Sequence, residues 1–281
     1  MKNEINDGFP QIKDYLSLLE SKMYKDMEKF SDSYVVSNKK ILGNYMKKWV
    51  NDPLHQWSRQ WEYPYVLSRI KESIGNSTDH AILDAGSGIT FFSFYLNKVY
   101  ADVRIYCCDQ DKGLERKYNA INIKNGSSVK FRQGDLRDLP YDDNMFNLIY
   151  CISVLEHTDD YGKIIEEFYR VLVPGGTLIV TFDVSIDGTR DISVEKGKIL
   201  VDYLKNYFNK RTDIEFDLGS NIDGLDVFTT YRARDIDKRL LPWRLPKLFY
   251  KIKSVVKNEK FAVWPPNLTV FCLTLTKKVE I

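Results

Sequence analysis

Three aspartates, two glycines and one histidine carry most of the chemistry this sequence offers. Asp84 ends the run His80-Ala-Ile-Leu and opens Asp84-Ala85-Gly86-Ser87-Gly88, ahead of the aromatic stretch Phe91-Phe92-Ser93-Phe94. That order reads as strand, tight turn and helix. Two glycines remove the Cβ atoms that keep a ligand off the backbone, and a helix start offers unpaired N–H groups. The turn is expected to floor a nucleotide pocket. A dinucleotide fingerprint would place a third glycine at position 91, where this chain has Phe91, so NAD is the weaker reading.

The next two apolar runs also end on acids. Val103–Cys108 leads to Asp109-Gln110, and Ser128–Gln133 leads to Gly134-Asp135-Leu136. A carboxylate at the end of the neighbouring strand matches the vicinal diol of a ribose, with Asp111 left to cap the following helix. Asp135 can accept an adenine amino group while a backbone N–H after it meets the ring. Three acids at successive strand ends around one glycine turn predict an adenosine ligand without a 2′-phosphate. The fourth strand, Phe146–Tyr150, runs into Cys151-Ile-Ser153-Val-Leu-Glu-His157, and the fifth, Thr177–Asp183, follows the turn Val173-Pro-Gly-Gly176.

This ordered set resembles the class I S-adenosylmethionine-dependent methyltransferases of small-molecule type, which carry Leu-Asp-x-Gly-x-Gly, an acid after the second strand, Gly-Asp after the third, Val-Leu-Glu-His and Leu-x-Pro-Gly-Gly. The resemblance covers roughly residues 78–183. It implies a Rossmann-like, mostly parallel seven-stranded α/β sheet with helices on both faces, and S-adenosylmethionine as cofactor with S-adenosylhomocysteine as product. Carried onto this chain, it places Asp84, Ala85, Gly86, Ser87 and Gly88 along the methionine half, Asp109 at the ribose, and Asp135 and Leu136 at the adenine, with Gln110 as a further cofactor-binding residue. Cys151 to Ser153 would flank the methionine moiety on the acceptor side. Against an NAD-dependent oxidoreductase or epimerase stand Phe91 and the lack of a Tyr-x-x-x-Lys pair after the fourth strand. A cofactor-binding partner subunit without chemistry is the other alternative.

Around that core the chain divides into an N-terminal helical extension or lid (1–77), the cofactor-binding core (78–183), and an acceptor-binding insertion with a closing strand (184–281). Ile12, Leu16, Leu19, Met23, Met27 and Phe30 recur at threes and fours, predicting one amphipathic helix over Gln11–Phe30. Trp49, Trp57, Trp61, Tyr63 and Tyr65 follow, with His55, Arg59 and Glu62 interleaved; the rings either pin the extension to the sheet or form a lid from which Arg59 or Tyr63 meets the cofactor carboxylate. Ser193 caps a helix whose predicted face is Ile199, Leu200, Tyr203, Leu204, Tyr207 and Phe208. From Arg234 to Lys260, nine Lys or Arg stand against three acids. That segment is either a solvated face or a grip for a phosphate-bearing acceptor or an anionic membrane surface, with Arg244 and Lys247 as substrate residues and Arg239 and Lys251 beside them. Leu268–Thr276 alternates and should close the sheet as an antiparallel strand.

A sulfonium methyl is already activated, so the protein must mainly align the acceptor and exclude water. A hydroxyl acceptor needs a base. His157 is the first candidate, because an imidazole titrates near neutrality; Asp183 and Asp187 are second candidates, Asp187 being also a substrate residue near the acceptor. His157, Asp159, Asp160 and Asp183 do not have a spacing diagnostic of a metal site, and none is assigned.

Composition narrows the partners. Lys and Arg number 41 against 39 acids in 281 residues, a net charge of +2, which argues against nucleic acid. Four cysteines without a Cys-x-x-Cys read as reduced thiols in the cytoplasm, and no apolar run has membrane-spanning length. The Lys- and Asn-rich character, Phe182–Asp187 and the basic C-terminal segment resemble enzymes that modify sugars in bacterial surface-polysaccharide biosynthesis. The expected acceptor is a hydroxyl of a sugar or glycan precursor, handled in the cytoplasm or at the inner membrane surface.

Overall fold

A computed structural model describes residues 5–48, 54–75, 79–158, 160–188, 192–211, 226–242, 248, 251 and 265–279. Its centre is a sheet in the order β3-β2-β1-β4-β5-β8-β7, with the two-residue β6 (Ile192–Ser193) paired to β5. The strands are β1 (Ala81–Ala85), β2 (Arg104–Asp109), β3 (Lys130–Gln133), β4 (Phe146–Ile152), β5 (Leu172–Ser185), β7 (Phe208–Lys210) and β8 (Leu268–Lys277). β8 is antiparallel to both neighbours, β5 and β7. β1 to β5 are parallel. The fold is thus the mostly parallel Rossmann-like sheet the sequence implied, the two-residue β6 being its one addition.

The chain builds β1, β2 and β3 outward in one direction and then returns to lay β4 on the other side of β1. Such a reversal opens a crevice beyond the carboxyl ends of the two strands that straddle it. Alternate residues serve opposite faces. Ile82, Ile105, Leu148 and Ile179 join a core with helices α1 (Ile12–Leu19), α2 (Lys22–Leu42), α4 (Arg59–Ile74), α5 (Phe92–Val99) and α6 (Leu114–Asn125). Leu83, Ile149, Leu178 and Val180 join the other core with α7 (Tyr161–Val171) and α8 (Val194–Tyr207).

Two predicted helices differ in detail. The single helix expected over Gln11–Phe30 is two, because Ser21 takes an extended conformation and its hydroxyl accepts from Tyr24 N–H at 3.1 Å, starting α2 afresh. Leu16, drawn inward by the continuous period, is exposed, and the buried residues of α1 are Tyr15 and Leu18. Ser193 does cap α8, but the buried stripe is Gly197, Leu200, Val201 and Leu204; Ile199 and Tyr203 face outward and Phe208 opens β7. β5 also begins earlier than Thr177, since Leu172 pairs with Phe146 before the Pro-Gly-Gly bulge shifts the register to Thr177 opposite Leu148.

A short helix α3 (Asn44–Lys48) and α9 (Thr230–Ile236) complete the helices used below. Gly43, at φ +53, ends α2, and Lys117 Nζ on α6 donates to the carbonyls of Ile41 (2.9 Å) and Leu42 (3.3 Å), fixing where α3 starts.

Candidate active site at the sheet's carboxyl edge

The carboxyl ends of β3, β2, β1 and β4 open into a cavity of about 640 Å³, within the roughly 300–1,000 Å³ usual for small-molecule sites. Across the sheet its wall runs from Asp135, Leu136 and Arg137 through Asp109 and Gln110 to Asp84 and Gly86–Gly88, then to Ser153, Val154 and His157. The extension contributes Tyr34, Tyr45, Arg59 and Tyr63.

Each acid sits in a different environment. Asp84 is buried and accepts from Ser93 Oγ at 3.0 Å; burial outweighs that bond and the help of Tyr150, pushing its carboxyl up to about 7. Asp109 is tied into the turn, one oxygen accepting from Gly88 N–H and the other from Asp111 N–H, each at 2.9 Å. It is therefore not held free for a ligand, although each carboxylate oxygen retains a lone pair. Asp111 accepts from Gly113 N–H at 2.8 Å, just ahead of α6. Asp135 carries Arg137 on both oxygens, at 2.9 and 2.6 Å, and the guanidinium with the Arg137 backbone N–H holds its carboxyl down at about 2. An adenine amino group there would meet a carboxylate that is already paired.

The glycines have protein reasons of their own. Gly86 (φ +77) leaves room for Val154, whose Cγ2 would lie 2.5 Å from a Cβ, and Gly88 (φ +51) leaves room for the Tyr45 hydroxyl. Phe91, in place of a third glycine, is fully buried against Tyr63 at 5.0 Å between ring centroids.

At the β4 end the polar groups interlock. Ser153 adopts φ +47, a conformation uncommon outside glycine and frequent where a backbone is held for function. Its N–H donates to Thr181 O at 2.9 Å and its hydroxyl to Glu62 Oε1 at 2.7 Å. Thr181 Oγ1 donates to the same Glu62 oxygen at 2.5 Å, and Arg59 bridges Glu62 and Ser153. Behind them Glu156 Oε1 accepts from Asp183 N–H at 3.4 Å; burial, with the Asp183 charge beside it, pushes the Glu156 carboxyl well up. His157 ends the 3₁₀ turn Leu155–His157 and is exposed on the cavity wall.

A family model described as a methyltransferase domain matches residues 83–180. An uncharacterized protein of Methanocaldococcus jannaschii is 33% identical over 205 residues, which is 71% of this chain and 75% of that one. The chain belongs to the class I S-adenosylmethionine-dependent methyltransferases. The glycine/sarcosine/dimethylglycine N-methyltransferase of Actinopolyspora halophila is 26% identical over 137 residues, 48% of this chain but only 24% of that enzyme. The [4+2]-cyclase SpnF shares the fold at TM-score 0.58 and 22% identity, covering 89% of this chain and 96% of that one. The Haemonchus contortus phosphoethanolamine N-methyltransferase 2 structure, solved with phosphomonomethylethanolamine and S-adenosylhomocysteine, shares it at TM-score 0.52 and 15% identity, over 91% of this chain and 59% of that one.

Most of the residues singled out from sequence converge on the cavity: Arg59, Asp84, Gly86, Ser87, Gly88, Asp109, Gln110, Asp135, Leu136, Ser153 and His157 all line it. Ala85 and Cys151 do not; both are fully buried in the core beneath it. Asp183 stands behind Arg59 and off the lining. Asp187 accepts from Ser185 Oγ at 3.0 Å and Asn267 N–H at 3.1 Å, closing the loop after β5 away from the cavity. Arg244 and Lys247 lie outside the described residues, as do Trp49 and Asp159. Arg239 is exposed, and its guanidinium donates to both carboxylate oxygens of Asp237. All four cysteines are free and buried. Among the described residues no group of His, Cys, Asp or Glu is arranged to hold a metal, and no helix is long and apolar enough to cross a membrane. Sequence reasoning gave no role to Tyr45 or Arg137, whose positions carry no motif, and it named Val154 only as part of Val-Leu-Glu-His; the fold brings Tyr45 and Val154 to the glycine turn and Arg137 to Asp135.

Proposed function

We propose that the chain transfers the methyl group of S-adenosylmethionine to a hydroxyl of a small polar acceptor, a sugar or glycan precursor of surface-polysaccharide synthesis, in the cytoplasm or at the inner membrane surface. The observation that carries the reading is the continuity of the cavity, from the strand-end acids to His157. The donor supplies an activated methyl group. The residues present suit it: Asp109 for the ribose diol, Asp84 for an ammonium, Arg59 for a carboxylate, and Gln110, Asp135 and Leu136 around the base. Ser153 and Arg59 shape the wall beside the acceptor, and His157 takes the hydroxyl proton. The buried rings of Trp57, Trp61 and Tyr63 support the lid role of the extension by excluding water. Arg244 and Lys247 are assigned to a phosphate on the acceptor.

An amine acceptor is the second reading. It is favoured by the gathering of Glu62, Glu156 and Asp183 around the Arg59 cation, and the Actinopolyspora relative is an N-methyltransferase. Calorimetry with S-adenosylhomocysteine and with NAD comes first, and binding of NAD alone would overturn the cofactor. Turnover on a panel of free and phosphate-linked sugars and of amines follows. Methylated amines with untouched sugars would select the second reading. Binding without turnover on any acceptor would make the chain a cofactor-binding partner.

A further inference from the structure

Tyr45 lies on α3, outside every motif in the core, yet its side chain reaches the cavity floor. Its oxygen accepts the Ile89 N–H at 3.1 Å, a backbone amide between the glycine turn and the N-cap of α5 that would otherwise be open to a ligand. Its hydroxyl fills the space left by the missing Gly88 Cβ, and Tyr45, Gly88, Ile89 and Asp109 line the same cavity. The position is built, since the Gly43 turn and the Lys117 clamp on the end of α2 set where α3 begins. Because the oxygen accepts, the hydroxyl hydrogen is left to donate. Burial, with Asp109 nearby, pushes the phenol up, so that proton is kept.

A ribose diol is both donor and acceptor. Asp109 can only accept, so it satisfies the diol hydrogens and leaves the diol oxygens without a donor. We propose that Tyr45 supplies that donor: it is a cofactor-binding residue whose hydroxyl bonds a ribose oxygen opposite Asp109, closing the α2–α3 end of the extension over the adenosine. The inference rests on the cofactor assignment above. The Ile89 N–H polarises the phenol and strengthens its donation.

The test is calorimetry on the full chain with Tyr45→Phe, using S-adenosylhomocysteine and its 2′-deoxy and 3′-deoxy analogues. The phenylalanine ring keeps the packing, and circular dichroism with thermal melting checks the fold. The expected result is roughly 3–15-fold weaker binding of S-adenosylhomocysteine to the variant, the scale of one hydrogen bond. For the deoxy analogue that lacks the bonded oxygen, wild type and variant should bind alike. Equal affinity of both proteins for S-adenosylhomocysteine overturns the role of Tyr45 and leaves the cofactor assignment intact. Tighter binding by the variant also overturns it and makes Tyr45 a plug over the turn. Failure of the wild type to bind S-adenosylhomocysteine at all would instead sink the assignment beneath it.

Discussion

Glu62 has no exposed side-chain surface, and Arg59, one helical turn earlier on α4, presses its guanidinium between that carboxylate and Ser153 at the cavity wall. The ion pair thus joins three elements: α4, the end of β4 through Ser153, and β5 through Thr181. Burying a charge is costly unless it is paired and hydrogen-bonded, and Glu62 accepts three such donors. Burial works against the Arg59 charge, but Glu62 first, then Tyr63, Asp183 and Glu156, outweigh it and hold the guanidinium pKa above its ordinary value.

Removing the Glu62 charge should therefore act on the ligand through Arg59. Glu62→Gln keeps the shape and should cost stability at the low end of about 3–5 kcal/mol, because Arg59 retains contact with the cavity. S-adenosylhomocysteine should bind at least about tenfold more weakly as the guanidinium loses its fixed direction. Denaturant unfolding and calorimetry read the two effects. Loss of stability with unchanged affinity would remove Arg59 from the cofactor carboxylate and leave the pair purely structural.

Asp84 predicts a pH effect whose sign can be worked out. Its carboxyl sits at about 7 in the folded protein against an ordinary 3.8, chiefly through burial. Between these values the folded state holds a proton that the unfolded state has lost, so this group lowers stability as pH rises from about 4 to 7. Asp84→Asn should remove that slope and raise the thermal midpoint of the free protein at pH 8. An ammonium beside Asp84 favours the ionised form, so cofactor affinity should rise with pH up to about 7 and then level, with proton release on binding. Calorimetry near pH 6.5 in two buffers of different ionisation enthalpy measures that release. A heat independent of buffer would place the ammonium elsewhere.

The core was legible because its signals are local. A strand end, an acid and a turn lie next to one another in sequence, and the parallel sheet lines up Asp84, Asp109 and Asp135 once the βαβ order is known. What periodicity missed was decided by competition it cannot see. The Ser21 cap broke a helix that the apolar spacing continued, and packing of α7 against α8 selected Leu200 and Val201 over Ile199 and Tyr203. The glycines were read as room for a ligand, whereas Val154 and Tyr45 occupy the space beside them. Those partners come from residues 154 and 45, and no spacing rule couples them to positions 86 and 88.

That difference can be measured. Gly86→Ala places a methyl 2.5 Å from Val154 Cγ2 and 2.9 Å from Cγ1, on a side chain seated just after β4, at a φ of +77. Left-handed strain for a non-glycine residue and an overpacked contact each cost about 1–3 kcal/mol. The thermal midpoint should fall by several degrees, at roughly 2–4 °C per kcal/mol for a chain of this size. Val154→Ala in the same chain should recover the packing part and leave the strain. If the second substitution recovers nothing, Val154 already moves freely and only φ matters.

His157 is the remaining assignment, and its setting separates two roles. Its backbone N–H closes the 3₁₀ turn on Val154 O at 3.0 Å, which any residue could do, while its side chain is exposed on the cavity wall. A helix-start role belongs to the backbone, and a base role belongs to the ring. With a hydroxyl acceptor, His157→Ala should slow turnover about 10²–10⁴-fold and leave S-adenosylhomocysteine affinity within about twofold, because proton transfer contributes on that scale and touches the acceptor alone. His157→Gln, which keeps a polar side chain but has no titrating group, should be equally slow. With an amine acceptor delivered neutral at high pH, no base is needed, and the deficit should shrink as pH rises above the amine's own pKa. Turnover of both variants across pH 6 to 10 decides the matter: a constant large deficit assigns His157 as base for a hydroxyl, a vanishing one selects the amine, and near-normal turnover throughout returns the ring to the surface.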